Sequence, residues 1–352
     1  MAWIGKSIEQ IRTENVYVGE NISAEWILLR GGEYKRTFVM STISEFVIRS
    51  DYDDLDISVM TVAPQGEIKA VFQFVHGMCE HKERYIPLME YLAGNGYACI
   101  VHDHRGHGKS VKSPDDLGYF YKGGANAMIE DSYKVTQKAK ELFPGRDVVL
   151  FGHSMGSMVV RSYVKRHDDA ISALIVCGSP SDNPLKGIGK ALAGLIGLFR
   201  GFHHRPDSIH GMSFNAFEKK FASDGRKNAW VCSDDEILSA YNADPLCLFH
   251  FTANGFIGLF GLMQEAYSKK GWKMSNPDLP IMFISGADDP CLGDMKKFGK
   301  AVGHMRKLGY KNVESRVYEG MRHEIHNETK RSIVWQDILD FADAAVIVRG
   351  LS

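Results

Sequence analysis

Several features that would assign a sequence to a class are missing here. Lys and Arg number 42 against 43 Asp and Glu, a formal net charge of −1, so no strongly basic face for nucleic acid is expected. A membrane span requires about 18 uninterrupted apolar residues, and no stretch of the sequence is that long. The first residues, MAWIGKSIEQIRTENVYVGE, carry Lys, Glu and Asn where a signal peptide needs an apolar segment. We therefore expect no nucleic-acid partner, no signal peptide and no membrane span.

Cysteine is also scarce. The six cysteines in 352 residues include no Cys-x-x-Cys pair, which indicates reduced, mostly buried thiols rather than a disulfide framework or a zinc site. The pattern predicts a cytoplasmic protein. Internal repeats and low-complexity tracts are absent as well. The length and the 44% of hydrophobic residues suffice for a sizeable core in one large domain or two modest ones.

What the sequence does contain is a regular alternation that starts near Ser44. Short apolar or β-branched runs alternate with longer segments of helical period, which is typical of an α/β fold with a mostly parallel sheet. The expected strands are SEFVIRS, DISVMTV, AVFQFVH, YACIVHD, DVVLFGH, ALIVCGS, IMFISGA and NVESRVYE. The expected helices are residues 84–94, 125–143, 155–167, 293–308 and 327–348.

The alternation stops between residues 180 and 278, where helical and loop character replaces strands. We interpret residues 180–278 as a helical cap inserted into an α/β core that comprises residues 43–179 and 279–352. Residues 1–42 form an N-terminal extension, and the sequence does not indicate whether it packs on the core or on the cap.

The stretch VVLFGHSMGSMVV places Ser154 in a Gly-x-Ser-x-Gly pattern between an expected strand and an expected helix. The pattern alone is weak, because glycine and serine are common. Its context predicts a sharp strand-to-helix turn that projects the hydroxyl beyond the sheet, beside the first N–H groups of the helix. Ser154 is therefore a candidate nucleophile, provided that a base and an acid accompany it.

Candidates for the acid and the base follow two later strands. IMFIS leads into GADDPCLGD, which offers Asp288 and Asp289, and SRVYE leads into GMRHEIHNE, which offers His323 and His326. The order Ser, Asp, His along the chain is the order expected for a catalytic triad on a sheet of this kind.

An oxyanion hole requires two backbone donors near the nucleophile. The N–H of Met155, directly after the serine, is one candidate, and the N–H of Met78, in the loop after VFQFVHG, is the other. We expect Glu80 to anchor this loop instead of acting as an acid with His81.

These segments resemble the α/β-hydrolase superfamily, in particular the monoacylglycerol lipase and bacterial lysophospholipase branch, also called serine aminopeptidase S33-like. The motifs are HGMCEHKERY, DHRGHGKS, GHSMGS, GADDP and YEGMRHEIHNE, in that order from about Ser44 to the C-terminus. The resemblance implies an α/β-hydrolase fold and an oxyanion loop in HG-x-x-EH with Met78 as donor. It also implies that the acid is Asp289, the fourth residue of Gly-x-x-Asp, and that the base is His323 of Tyr-x-Gly-x-x-His.

A metal-based mechanism is the competing hypothesis. The spacing of three histidines in VHDHRGHGKS is similar to that of binuclear zinc hydrolases: His102, His104 and His107. Gly106 stands where the metal motif has Asp, and no further ligand set is evident, so we expect no metal and no other cofactor. The resemblance implies that this loop braces the sheet edge, with Asp103 and Arg105 hydrogen-bonded to nearby backbone.

Two apolar stretches of the cap are candidates for the substrate pocket. KGIGKALAGLIGLFRGFHH has large apolar residues at helical spacing, and its glycines predict a mobile lid or a broken helix. The candidate substrate-binding residues are Ile188, Leu192, Leu195 and Phe199, with Phe251 from LCLFHFTANGFIGLFGLM. We expect them to form an apolar wall for an acyl chain and to touch lipid aggregates or a membrane surface; a helix packed on the core is the alternative.

The sequence thus predicts a metal-independent serine hydrolase that cleaves carboxylic esters of single-chain lipids, such as monoacylglycerol or lysophospholipid, through an acyl-enzyme. Small non-lipid esters remain an alternative, and so do aminoacyl amides, although the cap has no evident acidic cluster for an α-amine. A zinc metallohydrolase and a noncatalytic binding protein on the same scaffold are the other classes. The presence of all three triad candidates argues against a noncatalytic protein.

Overall fold

The computed structural model describes residues 17–28 and 34–350, with side chains from residue 41 to residue 346. Within these residues one sheet of nine strands runs in the order β1-β2-β3-β5-β4-β6-β7-β8-β9. In chain order the strands are β1 (Tyr17–Leu28), β2 (Tyr34–Arg49), β3 (Asp56–Pro64), β4 (Ala70–Val75), β5 (Tyr97–His102), β6 (Val148–His153), β7 (Ala173–Cys177), β8 (Ile281–Gly286) and β9 (Val313–Tyr318).

The sheet is parallel where the candidate site lies. Strands β5, β4, β6, β7, β8 and β9 pair in parallel, whereas β1, β2 and β3 pair antiparallel with their neighbours, including β3 with β5. All eight expected strands are present, and β4 to β8 are buried along their whole length, as strands covered on both faces should be. The predicted α/β fold with a mostly parallel sheet is confirmed.

Helices cover both faces of the sheet. They are α1 (Ile86–Gly94), α2 (Gly124–Leu142), α3 (Met155–His167), α4 (Lys186–Arg200), α5 (Asp207–Lys220), α6 (Asp235–Ala243), α7 (Ala253–Tyr267), α8 (Met295–Leu308) and α9 (Arg331–Gly350). Because strand side chains alternate, Val71 and Val75 of β4 pack in the core layer with α2, α3 and α8, whereas Phe72 and Phe74 pack in the layer with α1 and α9. No helix in the described ranges combines the length and the apolar character needed to cross a membrane.

The N-terminal extension contains strands that the sequence did not predict. Strand β1 pairs along its length with β2, and β2 runs without a break from Tyr34 to Arg49, so the predicted boundary between residues 42 and 43 falls inside a strand. The described part of the extension therefore lengthens the sheet at the edge beside β3. Residues 1–16 and 29–33 of the predicted extension, and 351–352 of the second core segment, lie outside the described residues.

Helix α4 of the cap region corrects one expectation. It is continuous over fifteen residues, so the prediction of a broken helix was wrong. Its glycines are packing sites: a Cβ atom at Gly189 would lie 2.7 Å from Phe260 Cζ on α7, and one at Gly197 would lie 2.5 Å from Phe202 Cδ1. The buried side of α4 is therefore made of small residues, Gly189, Ala193 and Gly197 at intervals of four, and close packing compensates for the low helix propensity of the two glycines.

Candidate active site

Ser154 lies in a sharp turn between strand β6 and helix α3. Its φ of 53° and ψ of −116° belong to a region that residues with a side chain rarely adopt. The turn requires glycine at two neighbouring positions, because a Cβ atom at Gly156 would lie 2.0 Å from the Val75 carbonyl oxygen. One at Gly152 would lie 2.6 Å from the carbonyl oxygen of Gly156. The half-buried serine thus stands at the N-terminus of α3, where the helix dipole favours negative charge.

The loop that follows strand β4 lies directly beside this turn. A Cβ atom at Gly77 would lie 3.0 Å from Ser154 Cβ, so the loop backbone and the serine are neighbours. Within the described residues, neither the N–H of Met78 nor that of Met155, the first of α3, donates to another protein group. Two unpaired backbone donors therefore lie on the two segments that flank Ser154.

Glu80 anchors this loop, as expected. Its buried carboxylate accepts hydrogen bonds from the Gly77 N–H, from the Tyr85 hydroxyl at 3.2 Å and from His153 Nδ1 at 2.9 Å. Burial alone would raise the pKa of Glu80, but the adjacent His153 and Arg84 hold it well below its ordinary value. The ionised carboxylate thus ties the loop to the residue that precedes the candidate nucleophile.

Asp289 and His323 form a buried acid and base pair. The loop after β8 places Asp289 Oδ1 at 2.9 Å from Nδ1 of His323, which lies in the loop after β9. The carboxylate also accepts the Cys291 N–H at 2.8 Å and the Ser285 hydroxyl at 3.2 Å. These bonds fix the carboxylate so that it orients the imidazole and determines which ring nitrogen carries the proton.

The alternative acid and base have different surroundings. Asp288 is exposed to solvent, whereas its neighbour Asp289 is buried. His326 is buried and stacks on the Tyr85 ring, with 5.2 Å between the ring centroids. The structure therefore pairs the two residues that the motifs selected, whereas neither ring nitrogen of His326 has a hydrogen-bond partner in the described residues.

The Asp289 and His323 pair shifts the pKa of both members. Burial alone would raise the pKa of Asp289, but the charge and the hydrogen bond of His323 hold it below its ordinary value. Burial would likewise lower the pKa of His323, but Asp289, and secondarily Cys291, raise it well above its ordinary value. Each group thus favours the charged form of the other.

The imidazole of His323 lies beside the serine turn, and the His323 carbonyl oxygen lies 3.3 Å from Nε2 of His153. The ring centroid of His323 lies 4.7 Å from that of His153, the residue before Ser154. Its Nε2 atom lies 3.9 Å from Cys291 Sγ, and the described residues include no hydrogen bond between His323 and the Ser154 hydroxyl. Catalytic hydrogen bonds are often long or misaligned before substrate binds. The position of Cys291 beside the imidazole was not predicted from the sequence.

Comparisons with known proteins identify the family of the chain. The sequence pattern of the family described as serine aminopeptidase, S33, matches residues 66–330. The chain belongs to this family. It is 24% identical over 279 residues to the monoacylglycerol lipase of Mycolicibacterium smegmatis, an alignment that covers 78% of this chain and 88% of the relative.

Solved structures resemble the chain over most of its length. A highly thermostable carboxyl esterase from Bacillus coagulans, in complex with glycerol, matches with a TM-score of 0.78 and 24% identity, covering 86% of this chain and 99% of the esterase. A soluble variant of the Saccharomyces cerevisiae monoglyceride lipase, in complex with a substrate analog, matches with a TM-score of 0.65 and 20% identity, covering 86% and 96%. These likenesses establish the α/β-hydrolase fold.

In this S33-family chain, the segment that was predicted to be the cap (residues 180–278) places aromatic residues near His323 that the sequence analysis missed. The Trp230 ring centroid lies 5.3 Å from that of His323, and the ring of Phe217 lies 5.2 Å from Trp230. The ring centroid of Phe214 lies 6.2 Å from that of Trp230, and the Trp230 Nε1–H donates to Glu218 at 3.0 Å. We refer to Phe214, Phe217 and Trp230 as the cap aromatic cluster. The spacing of three residues between the phenylalanines on α5 was the available signal.

The five predicted substrate-binding residues, by contrast, do not form one wall. Ile188, Leu195 and Phe199 are 68%, 53% and 87% exposed on the outer side of α4. Leu192 is half-buried against the core, and Phe251 is completely buried within it. The prediction placed the large apolar residues of α4 on the wall of an acyl pocket, whereas α4 buries its small residues and three of the large ones face solvent.

The loop with three histidines has the bracing role that the family resemblance implied. The Asp103 carboxylate accepts the N–H groups of Lys82 at 2.8 Å and Lys109 at 2.9 Å, and Arg105 donates to the Phe120 carbonyl at 3.1 Å. The three histidines are buried, and in the described part of the chain their ring nitrogens are not among the groups of three potential ligands that converge within 4.8 Å.

Proposed function

We propose that this S33-family chain is a serine hydrolase that cleaves carboxylic esters through an acyl-enzyme, with Ser154 as nucleophile, His323 as base and Asp289 as the acid that orients it. The observation that carries the proposal is the buried hydrogen bond of 2.9 Å between Asp289 and His323, beside a strained serine at a helix N-terminus. This combination supplies the three parts that acyl transfer by serine requires.

Each residue has a defined step in the proposed reaction. The imidazole of His323 turns its Nε2 from Cys291 to the Ser154 hydroxyl and takes its proton as the oxygen attacks the ester carbonyl. The N–H groups of Met78 and Met155 bind the oxyanion, and the imidazolium, stabilised by Asp289, protonates the leaving alcohol. Water then attacks the acyl-enzyme carbonyl as His323 takes its proton, and the imidazolium returns that proton to the Ser154 oxygen as the carboxylic acid is released.

We further propose that the substrates are esters of single-chain lipids. The chain's relatives include proteins named monoacylglycerol lipase and phospholipase. The cap aromatic cluster lies over His323 and offers an apolar surface where an acyl chain would leave the reacting carbonyl. Small carboxylic esters remain the second candidate, because one structural neighbour is a carboxyl esterase.

Contact with a lipid surface is the third part of the proposal. The outer side of α4 exposes Ile188, Leu195, Leu198 and Phe199, and the basic side chain of Arg200 adjoins them. Contiguous exposed apolar residues with a basic neighbour fit an interfacial helix that dips into a lipid aggregate.

We also propose a cytoplasmic location, which is consistent with six free cysteines.

Ser154→Ala tests the proposal. We expect it to lower kcat on short p-nitrophenyl esters by at least about 10⁴-fold and to abolish fluorophosphonate labelling. Ser162→Ala, which removes a hydroxyl bonded to the Met158 carbonyl two turns further along α3, is the matched control and should retain both. Full activity of Ser154→Ala would overturn the assignment. A panel of monoacylglycerols, lysophospholipids, aryl esters and aminoacyl amides then identifies the substrate class.

A further inference from the structure

A second cluster of reactive side chains lies outside the triad, where the cap meets the loop that carries Met78 and Glu80. His81 Nε2 lies 2.8 Å from Asp244 Oδ2, and the Cys247 thiol completes a group of three ligand atoms within 4.8 Å of one another. His81 comes from the core, whereas Asp244 and Cys247 follow helix α6 of the cap region. The cluster has no role in the proposed hydrolysis.

We propose that His81, Asp244 and Cys247 bind a zinc-class transition-metal ion that links the cap to the oxyanion loop. An imidazole nitrogen, a carboxylate and a thiolate are the donors that zinc prefers, whereas magnesium and calcium prefer oxygen alone. Tetrahedral bonds of about 2.0–2.3 Å bring zinc ligands to about 3.2–3.8 Å from one another, so the side chains need only small shifts.

The surroundings of the cluster are those of a prepared metal ligand set. His81 Nδ1 lies 2.7 Å from Glu83 Oε2, so that carboxylate orients the ring and leaves Nε2 for the ion. Metal-binding histidines usually donate their second ring N–H to a carboxylate in this way. A histidine that is hydrogen-bonded to two carboxylates without any metal would show the same two contacts. The nearby Cys247 thiol distinguishes the metal ligand set from that simpler arrangement.

The turn that carries the other two ligands is fixed before any ion binds. The Asp244 side chain accepts the Leu246 N–H at 2.8 Å through Oδ1, and the Asp244 carbonyl accepts the Cys247 N–H at 3.0 Å. Oδ2 therefore remains directed at His81, and the buried Cys247 is held one turn away. Because little has to be ordered on binding, the entropic penalty of forming the site is small.

An ion can reach the cluster from solvent. His81, Asp244 and Glu83 line a surface cavity of about 230 Å³, together with Arg84 and Tyr241. Arg84 does not compete with the ion for the Asp244 carboxylate, because its guanidinium donates to both carboxylate oxygens of Glu324 at 2.6 and 2.7 Å. Water from this cavity can supply the fourth ligand of a tetrahedral ion.

Co²⁺ is the probe for the test, because a thiolate ligand gives it charge-transfer absorption that oxygen and nitrogen ligands do not. Full-length protein should bind one Co²⁺ per chain with this band, and Zn²⁺ should displace it. Cys247→Ser should abolish the band, and Glu83→Gln should keep it while weakening Co²⁺ binding about 10- to 100-fold. Because ligand deprotonation accompanies binding, protons should be released as Co²⁺ is added.

Cys291→Ser is the matched control, because Asp289, Cys291 and His323 form the other group of potential ligands within 4.8 Å in the described residues. We expect this variant to retain the band. A band that disappears with Cys291→Ser and survives Cys247→Ser would overturn the proposal, and so would a wild-type protein without the band. Should Cys247→Ser fail to fold, Asp244→Asn decides: Zn²⁺ should raise the Tm of the wild type and leave that of Asp244→Asn unchanged. Equal shifts in both proteins would contradict the site.

Discussion

At the scale of single residues, the site depends on a few positions where only one residue type fits. Ser154 occupies a backbone conformation that costs about 1–3 kcal/mol, and the surrounding strand and helix hold it there. The flanking Gly152 and Gly156 could be identified from the Gly-x-Ser-x-Gly pattern. The structure gives the reason for the pattern, because the carbonyl oxygens of Val75 and Gly156 leave no room for a Cβ atom at these positions. The choice of Asp289 over Asp288 could not be made from composition, since adjacent aspartates differ only in which one the loop buries.

The acid and base pair predicts a pH profile. His323 must be neutral to accept the serine proton, and its pKa is raised well above the ordinary histidine value by Asp289. kcat/KM should therefore fall with decreasing pH at a pH above the ordinary histidine pKa of about 6.5. Asp289→Asn removes the charge that raises the pKa, so it should move this acid limb to lower pH and reduce the plateau by about 10⁴-fold.

Measurement of kcat/KM against pH with a soluble aryl ester checks this prediction. Asp288→Asn is the matched control, because its exposed carboxylate adjoins the same loop without contacting His323. We expect its profile to follow the wild type. If the acid limb shifted in Asp288→Asn and stayed unchanged in Asp289→Asn, the acid would be Asp288 and our assignment would be wrong.

At the scale of elements, the sequence predicted the strands and helices that have a clear hydrophobic pattern. It missed those that depend on pairing or packing with another element. The buried strands β4 to β8 were predicted because continuous apolar runs between turns have few other solutions. Strand β1 and the first part of β2 were missed because their stability comes from pairing with each other, which the residue pattern of either strand alone does not reveal. Helix α4 was predicted wrongly because the low helix propensity of glycine was considered alone. The sequence did not show that α7 would pack closely against the α4 glycines.

The two kinds of glycine in α4 lead to opposite mutational effects. Gly194 has no neighbouring atom within 4 Å of a built Cβ, so Gly194→Ala should stabilise the protein by about 0.8–1 kcal/mol through helix propensity. Gly189→Ala has the same propensity gain, but its Cβ would meet Phe260 Cζ at 2.7 Å, and overpacking costs about 1–3 kcal/mol. We expect Gly189→Ala to be destabilised on balance. Urea unfolding of both variants checks the difference, and equal stabilisation would show that the helices separate freely.

At the scale of the whole molecule, the fold explains why the triad could be predicted and the pocket could not. Ser154, Asp289 and His323 follow β6, β8 and β9, and the carboxyl ends of parallel strands meet at one edge of the sheet. Their convergence therefore follows from strand order. The cap has no such repeat, so its inner surface depends on how α4, α5 and α7 pack, and Trp230 reached the site without any periodic signal.

The outward apolar side of α4 predicts a difference between dispersed and soluble substrates. Phe199 is 87% exposed, so Phe199→Ser should leave stability nearly unchanged while removing a side chain whose burial in lipid is worth about 1.5–3 kcal/mol. Apparent affinity for monoacylglycerol in phospholipid vesicles should fall at least about tenfold. kcat/KM on a short soluble ester should be retained, because the exposed Phe199 is not among the ring contacts of the cap aromatic cluster in the described residues. Ile333→Ser is the matched control: it removes an apolar side chain that is 53% exposed on α9, which packs in the core layer with α1, whereas α4 packs in the other layer, and it should leave both activities unchanged. Equal losses in the two variants, or a loss on the soluble ester, would mean that α4 does not contact the lipid surface.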